Sequence, residues 1–269
     1  MKTKILLTGF LATITFTACR VHIDDPYYLD TIPPSPPTGI VAINGDNRVD
    51  LSWYVNRESD VAGYNVYYAY SYNGKYTLIG STRTNYFIDD GASNGDTYYY
   101  AVTAYDYNGN ESDLSYDVVY STPRPEGFNQ SILDYRLFPD YGGYSFTTYS
   151  TVAYDDNEAD FFFENYNGTF YLDVWDDTEI QDMGSTIDIY DIANAPTSGW
   201  STTKDEIAVV GHTYVIWTWD NHYAKIRIKS ITADKISFDW AFQLVPGNRQ
   251  LKQADVKKER GELRSSISR

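Results

Sequence analysis

The sequence predicts an all-β protein built from two antiparallel modules. Short segments alternate apolar and polar residues, as strands with one buried face do, and turn pairs such as Asn73-Gly74 and Asn108-Gly109 separate them. The chain also has 27 tyrosines, a residue type that favours strands. With 269 residues, of which 42% are hydrophobic, there is room for two domains with buried cores.

The net charge of −16 narrows the range of partners. Nucleic-acid binding depends on Lys and Arg side chains that neutralise phosphates, and adsorption on anionic lipid depends on the same side chains. The charge balance therefore argues against both. Residues 249–269 differ from the rest, because this charged tail has seven basic and three acidic residues.

Residues 1–18 have the plan of a secretory signal peptide. Lys2 and Lys4 give a basic start, and the apolar run that follows is too short for a stable membrane span. The ending Phe16-Thr17-Ala18-Cys19 resembles a bacterial lipobox, in which the cysteine is acylated and the bond before it is cut. That resemblance implies a lipid attachment at Cys19, which anchors the chain to the cell envelope, with the outer membrane as the expected location.

Residues 19–32 are predicted to form a tether that leads into a proline-rich stretch. Proline has no backbone N–H to give to a sheet, so this stretch is expected to be extended. The first module then covers residues 33–124, where strands of this length and spacing are typical of a β-sandwich. The predicted strands are 49–53, 63–68, 76–80, 86–89, 98–104 and 116–120.

The stretches 49–53, 60–67 and 95–104 resemble a fibronectin type III domain, an immunoglobulin-like β-sandwich. By that resemblance, Trp53 is the core tryptophan and Tyr98 is the corner tyrosine, whose hydroxyl bonds to backbone upstream. Both residues would be structural, and they do not indicate a function.

Three tyrosines of this module, Tyr68, Tyr70 and Tyr72, allow two interpretations. They can pair across strands on a solvent-facing sheet, which is the simpler one. They can also form a platform on which sugar rings stack.

The second module is predicted over residues 128–248, after a short linker at 123–127. A tight turn at Asp220-Asn221 would pair Trp219 with His222, which places Val215, Trp217 and Trp219 on the core face. The predicted strands are 144–153, 159–164, 169–174, 213–219, 223–231 and 235–244. The opposite face of this hairpin is the candidate binding surface, formed by Tyr214, Tyr223, Lys225, Arg227 and Lys229.

The same hairpin separates His212 from His222. At strand spacing the two imidazoles would be about 24 Å apart, too far to share one metal or one haem iron. No hydrolase, zinc or phosphate-loop motif accompanies either histidine, so we predict no catalytic residues, no metal site and no enzymatic activity.

The stretches 211–215 and 223–228 resemble, over a short length, the C-terminal sheet of haem-binding lipoproteins of the HmuY type. This resemblance implies a fold and a location. It does not supply a pair of haem ligands.

Two acidic runs, at 155–160 and 173–179, offer oxygen ligands for calcium. Neither matches the twelve-residue calcium loop, and a solvated acidic turn is the simpler interpretation. We therefore predict no cofactor, with calcium as the alternative.

The sequence thus predicts a non-enzymatic cell-envelope lipoprotein that presents its β-domains to an extracellular or periplasmic protein or glycan. Two alternatives stay open. One is a polysaccharide-binding or polysaccharide-degrading accessory protein, since type III modules accompany glycan enzymes and exposed Tyr and Trp can stack on sugars. The other is capture of haem or another small ligand by the second module.

Overall fold

The computed structural model describes residues 30–117 and 119–252. The predicted signal peptide, Cys19 and most of the charged tail lie outside the described residues. The chain divides into two units, Met1–Thr31 and Ile32–Arg269, and the second unit contains both predicted modules. The described residues are nearly all β, with seventeen strands and one 3-10 helix at Pro139–Tyr141.

The first module is a sandwich of two antiparallel sheets. A three-stranded sheet has the order β1-β2-β5, and a four-stranded sheet has the order β4-β3-β6-β7. Its strands are Val41–Gly45 (β1), Arg48–Ser52 (β2), Val61–Ala69 (β3), Thr77–Thr82 (β4), Tyr86–Asp89 (β5), Tyr98–Asp106 (β6) and Val119–Ser121 (β7). The predicted fibronectin type III-like β-sandwich is confirmed.

Alternation in β2 and β6 builds the core of this sandwich. Val49 and Leu51 of β2 are fully buried, as are Tyr100 and Val102 of β6. Trp53 packs edge-on against Tyr64, with ring centroids 5.3 Å apart. The facing sheet buries one side of these strands, as the period of two requires. The other side of β6 is buried as well, since Ala101 packs in a second cluster with Tyr67 and Tyr76.

Strand β1 is missing from the prediction, because one of its buried positions holds a polar residue and its apolar residues Val41 and Ile43 lie on the other face. Asn44 is fully buried, while Val41 and Ile43 are partly exposed. The buried amide is stabilised because Asn44 Nδ2 donates to the backbone oxygen of Thr122 at 2.8 Å.

The second module has two five-stranded antiparallel sheets, with the orders β10-β9-β11-β12-β14 and β13-β15-β16-β17-β8. Its strands are Glu126–Leu133 (β8), Gly143–Ser145 (β9), Ser150–Val152 (β10), Phe161–Tyr166 (β11), Thr169–Asp173 (β12), Glu179–Ser185 (β13), Asp205–Ile207 (β14), His212–Trp217 (β15), Tyr223–Ile231 (β16) and Lys235–Gln243 (β17). One hydrophobic cluster joins residues of both sheets, with Phe146, Phe161 and Phe163 on one side and Ile226, Ile236 and Phe238 on the other.

Several strands of this module differ from the prediction. The stretch 144–153 is two paired strands, β9 and β10, because the chain turns back through Tyr149, whose φ is +54°. Strands β8, β13 and β14 were not predicted. In β8 the alternation is interrupted by a bulge opposite Phe238 and Trp240, and Asn129 there has a φ of +55°.

The predicted register of the β15–β16 hairpin is wrong by one residue. Trp217 pairs with Tyr223, and a five-residue loop at 218–222 replaces the two-residue turn. A shift of one residue moves every side chain of a strand to the other face. In β15 the core residues are therefore Tyr214 and Ile216.

The predicted linker at 123–127 is part of the folded structure. Arg124 is fully buried, and Glu126 and Gly127 belong to β8. Arg124 donates from its backbone N–H to Gly45 O at 3.1 Å and from Nε to Leu251 O at 2.7 Å. The segment 249–252, which we call the strap, therefore contacts the joint between the two modules.

The strap also bonds to each module separately. On the side of the first module, Asn44 of β1 donates its N–H to Lys252 O at 2.9 Å. On the side of the second module, Leu251 donates its N–H to Ala193 O at 2.7 Å. Ala195 donates to Arg249 O at 2.9 Å. These bonds tie the first module to the loop that covers the second.

Candidate functional site

Three loops of the second module meet along one open groove. They are 153–160 between β10 and β11, 174–178 between β12 and β13, and 218–222 between β15 and β16. Two hollows of about 490 and 270 Å³ adjoin one another, since Asp177 and Trp219 line both. We call the two together the tryptophan groove, and its lining residues are Asp155, Asp156, Asn157, Ala159, Trp175, Asp177, Thr178, Glu179, Trp217, Thr218, Trp219 and Asn221.

Tryptophan side chains dominate the groove. Trp219 is 61% exposed and Trp175 is 41% exposed, which is unusual for the largest apolar side chain. Trp217 lies at one end and contacts Trp200, with ring centroids 6.0 Å apart. Four of the chain's six tryptophans thus belong to this region.

Neighbouring aromatic rings hold two of these indoles in place. Trp175 packs against Phe162 at 5.2 Å and stacks on Tyr154 at 6.4 Å. Trp217 stacks on Tyr223 at 5.6 Å, and its Nε1 donates to Asn221 Oδ1 at 3.0 Å. The rings are therefore fixed before any ligand arrives, which lowers the entropy cost of binding.

Local turn chemistry shapes the three loops. Asp156 Oδ1 accepts the N–H of Glu158 at 2.9 Å, and Trp175 O accepts the N–H of Thr178 at 3.0 Å. Asn221 adopts a φ of +68°, a conformation that Asn tolerates better than most residues. Polar turn residues in the sequence thus place the tryptophans at the rim.

The groove is acidic. Its carboxylates come from both predicted acidic runs, Asp155 and Asp156 from the first and Asp177 and Glu179 from the second. Glu179 pairs with Lys204 at 2.8 Å. The structure therefore brings residues of the two runs together around one groove that tryptophans also line, which the sequence alone did not show.

A buried carboxyl group directly follows Ala159, which lines the groove. Asp160 is 6% exposed, and its Oδ2 accepts the N–H of Phe146 at 2.7 Å. Desolvation raises the pKa of Asp160 to about 7, although the hydrogen bond from Phe146 opposes that shift. Its charge at neutral pH therefore depends on small changes in pH.

The predicted binding surface on β15 and β16 is wrong. Tyr214 is fully buried because the register differs and turns it into the core. Lys225 is fully buried and Tyr223 nearly so, because the segment 186–195 covers their face of the sheet. The ammonium group of Lys225 donates to Ile192 O at 2.8 Å, and burial lowers its pKa well below the usual value. Such residues cannot meet a partner.

The remaining two residues of that set are also engaged. Arg227 donates to Thr186 O at 2.8 Å and to Thr186 Oγ1 at 3.0 Å. Lys229 is exposed and pairs with Asp239 at 3.2 Å. Of the five predicted residues, Lys229 alone is exposed, so they do not form one open surface.

The two histidines lie apart and have separate partners, since His212 begins β15 and His222 ends the loop before β16. His212 Nδ1 is 2.8 Å from Asp182 Oδ2, and His222 Nδ1 is 3.0 Å from Asp220 Oδ2. Within residues 30–117 and 119–252, neither imidazole hydrogen-bonds to a hydroxyl or thiol that could act as a nucleophile.

The two structural residues of the first module are both in its core. Trp53 is 3% exposed. Tyr98 Oη accepts the N–H of Ser93 at 2.9 Å, which ties the 89–96 loop to β6. Among the three tyrosines, Tyr70 is exposed, Tyr68 is partly buried and Tyr72 is buried, so a platform of all three does not form.

Only a weak signal for the groove is present in the sequence. Trp175 stands within an acidic run, which is typical of a loop. A two-residue turn at Asp220-Asn221 predicts a core position for Trp219, whereas the longer loop of the structure exposes it. No helix among the described residues is long and apolar enough to cross a membrane. Cys19, the predicted lipid site, lies outside the described residues.

Fold and site together define an all-β protein with a fibronectin type III-like sandwich and a second antiparallel module that carries an open aromatic groove. No family model matches the chain. It is 38% identical over 100 residues to an amylopullulanase from Thermoanaerobacterium saccharolyticum, covering 37% of this chain and 8% of that protein. It is 42% identical over 86 residues to an amylopullulanase from Thermoanaerobacter thermohydrosulfuricus, covering 32% of this chain and 6% of that protein. The chain thus spans a small part of the length of these relatives.

Two solved structures that resemble the chain cover different shares of it. An Fn3-like protein from Clostridium thermocellum is 30% identical, with a TM-score of 0.27, over 30% of this chain and 85% of that one. A DUF4466 family protein from Parabacteroides merdae is 10% identical, with a TM-score of 0.39, over 78% of this chain and 99% of that one.

Proposed function

We propose that this chain is a non-enzymatic lipoprotein of the cell envelope that binds a polysaccharide in its tryptophan groove. The observation that carries the proposal is the pair of exposed indoles, Trp175 and Trp219, that line the same open groove. A large apolar ring left in water costs free energy, so such rings commonly mark a binding site.

The chemistry of the groove fits a sugar chain. A pyranose ring has an apolar C–H face that packs on an aromatic ring, while its hydroxyl groups point outward as hydrogen-bond donors. Carboxylates at Asp155, Asp156 and Asp177 supply charged acceptors for those donors. An open groove, in contrast to a closed pocket, lets a polymer enter and leave along its length.

The relatives add limited support for this choice. They are named amylopullulanases, and the aligned stretch is a small fraction of each, 8% in one case. A short shared segment fits an accessory module better than a catalytic domain. We therefore propose binding without hydrolysis, in the same setting as polysaccharide-degrading enzymes.

Substitution of Trp175 and Trp219 by Ala tests the groove. We expect the affinity for the polysaccharide to fall roughly tenfold or more, since aromatic side chains that a ligand covers carry much of the binding energy at such sites. Affinity electrophoresis against pullulan, amylopectin, a soluble β-glucan and polygalacturonate measures the retardation of each variant. Tyr107→Ala is the matched control, because Tyr107 is 79% exposed and lies in the first module away from the groove.

Two outcomes would contradict the groove proposal. One is that none of the four polymers retards the natural chain. The other is that Trp175→Ala/Trp219→Ala is retarded as strongly as the natural chain. Thermal unfolding of each variant shows that the fold is kept.

Lipid attachment at Cys19 is proposed from the lipobox-like ending of the signal peptide. We expect a mature chain that begins at Cys19, carries two or three acyl chains and sediments with the outer membrane. Mass spectrometry of the purified protein measures this directly, and Cys19→Ala is expected to release it into the soluble fraction. An intact Met1 terminus with an unmodified thiol would refute the anchor.

A further inference from the structure

The first module has an aromatic cleft of its own at one end of the sandwich. Its volume is about 340 Å³, near the lower end of the range for small-ligand sites. One wall comes from β3 and β6 of the four-stranded sheet, and the other comes from β5 and the 89–96 loop. The lining residues are Tyr68, Tyr70, Ile79, Phe87, Ile88, Asp89, Asp90, Gly91, Ser93, Asp96 and Tyr98.

Three tyrosine rings form one wall in a fixed cluster. Tyr70 lies 5.3 Å from Tyr68 and 5.5 Å from Tyr98, and Tyr68 lies 5.4 Å from Tyr98. Tyr98 is buried, yet Tyr70 is 65% exposed. A buried ring thus holds an exposed ring in place, which presents an aromatic face at little cost in side-chain entropy.

The other wall supplies polar groups on a restrained loop. Tyr98 Oη accepts the N–H of Ser93 at 2.9 Å, and Asp89 Oδ1 accepts the N–H of Gly91 at 3.1 Å. The side chains of Asp90 and Asp96 make no hydrogen bond or ion pair with the described residues, so their oxygens are available as acceptors at the rim of the cleft.

Phe87 and Ile79 give the cleft an apolar floor. A ligand that fits needs an apolar face for the tyrosines and hydroxyl donors for the carboxylates. A neutral hexopyranose has both, whereas a uronic acid would be repelled by the rim.

We propose that this cleft is a second saccharide site, which binds a short neutral stretch of hexopyranose units. It does not depend on the tryptophan groove, because no residue lines both. Two weak sites on one chain would raise the apparent affinity for a polymer well above that for an oligosaccharide.

The test uses the full chain in four forms: natural, Tyr70→Ala, Trp175→Ala/Trp219→Ala, and all three substitutions together. Saturation-transfer NMR with maltohexaose and cellohexaose reports contact, and titration reports affinity. We expect the double tryptophan variant to retain binding to at least one oligosaccharide. Adding Tyr70→Ala should weaken that residual binding roughly tenfold or more.

Tyr107→Ala in the double tryptophan background is the control, and it should leave the residual binding unchanged. Asp96→Asn removes a rim charge without altering a ring, and it is expected to weaken the residual binding less than Tyr70→Ala. The cleft is refuted if the double tryptophan variant binds neither oligosaccharide, or if Tyr70→Ala leaves the residual binding intact. If the double tryptophan variant instead binds like the natural chain and Tyr70→Ala abolishes binding, the cleft is supported and the groove fails.

Discussion

At the scale of single residues, burial decides what a polar side chain can do. Lys225 has a charged side chain of the kind that binds partners, but it is fully buried and its Nζ lies 5.9 Å from the centroid of the Tyr190 ring. Trp219 has a large apolar side chain of the kind found in cores, but it is exposed to solvent. Residue type therefore indicates the chemistry, and the surrounding fold decides whether a partner can reach it.

Asp160 gives a pH-dependent prediction. Burial raises its pKa from 3.8 to about 7, so the folded chain binds more protons than the unfolded chain between these values. The stabilisation from protonated Asp160 is therefore present below pH 4 and is lost as pH rises through 7. In the Asp160→Asn variant the side chain stays neutral and keeps an acceptor for the N–H of Phe146. Between pH 5 and 8, the free energy of unfolding should therefore fall less in this variant than in the natural chain, by on the order of 2 kcal/mol.

Urea denaturation at several pH values measures this effect. Burial also raises the pKa of Asp173 to about 7. The stability of the Asp160→Asn variant should therefore still fall somewhat as the pH rises. A variant with the same pH dependence as the natural chain would show that Asp160 does not titrate in this range.

At the scale of elements, loop length sets register, and register sets which side chains face out. The five-residue loop at 218–222 moves Trp217 opposite Tyr223, which reverses the faces predicted for β15 while leaving those of β16 and β17 as predicted. Ala224, Ile226 and Ile228 are buried as their alternation indicates. Alternation thus identifies strands that pack one face on the core, such as β16 and β17, but it cannot fix the pairing of a hairpin whose turn is longer than predicted.

The tyrosine corner gives a prediction at this scale. Tyr98→Phe keeps the ring in the core and removes the acceptor for Ser93 N–H. We expect a loss of about 1–2 kcal/mol in unfolding free energy, since a backbone donor loses its partner. Urea denaturation measures it, with Tyr107→Phe as an exposed control that should have no effect. Equal midpoints for Tyr98→Phe and the natural chain would show that this bond adds nothing to stability.

At the scale of the whole molecule, the strap and Arg124 join the two modules. Arg124 has no exposed surface, bonds to Leu251 O, and pairs with Glu126 at 3.2 Å. The strap bonds to β1 on one side and to the 193–195 loop on the other. The modules thus share buried polar contacts that a flexible linker would lack.

Chains shortened from the C-terminus test this joint. A chain that ends at Asn248 lacks the strap and residues 253–269. A chain that ends at Lys252 lacks residues 253–269 but keeps the strap. We expect the shorter chain to unfold in two calorimetric transitions and to be more extended in solution scattering, because Arg124 is left buried with fewer partners. Identical profiles for the two chains would show that the strap does not join the modules.

The sequence by itself determined the fold class, the type III-like sandwich, and most of the strands whose alternation comes from packing against a facing sheet. Binary pattern encodes these features locally, because each side chain either enters the core or does not. Only the tertiary structure decided that two distant acidic runs and Trp219 meet in one groove, that Lys225 is enclosed, and that residues 249–252 pass between the modules. Those outcomes depend on loop lengths and on contacts between segments far apart in the chain, which no local pattern records.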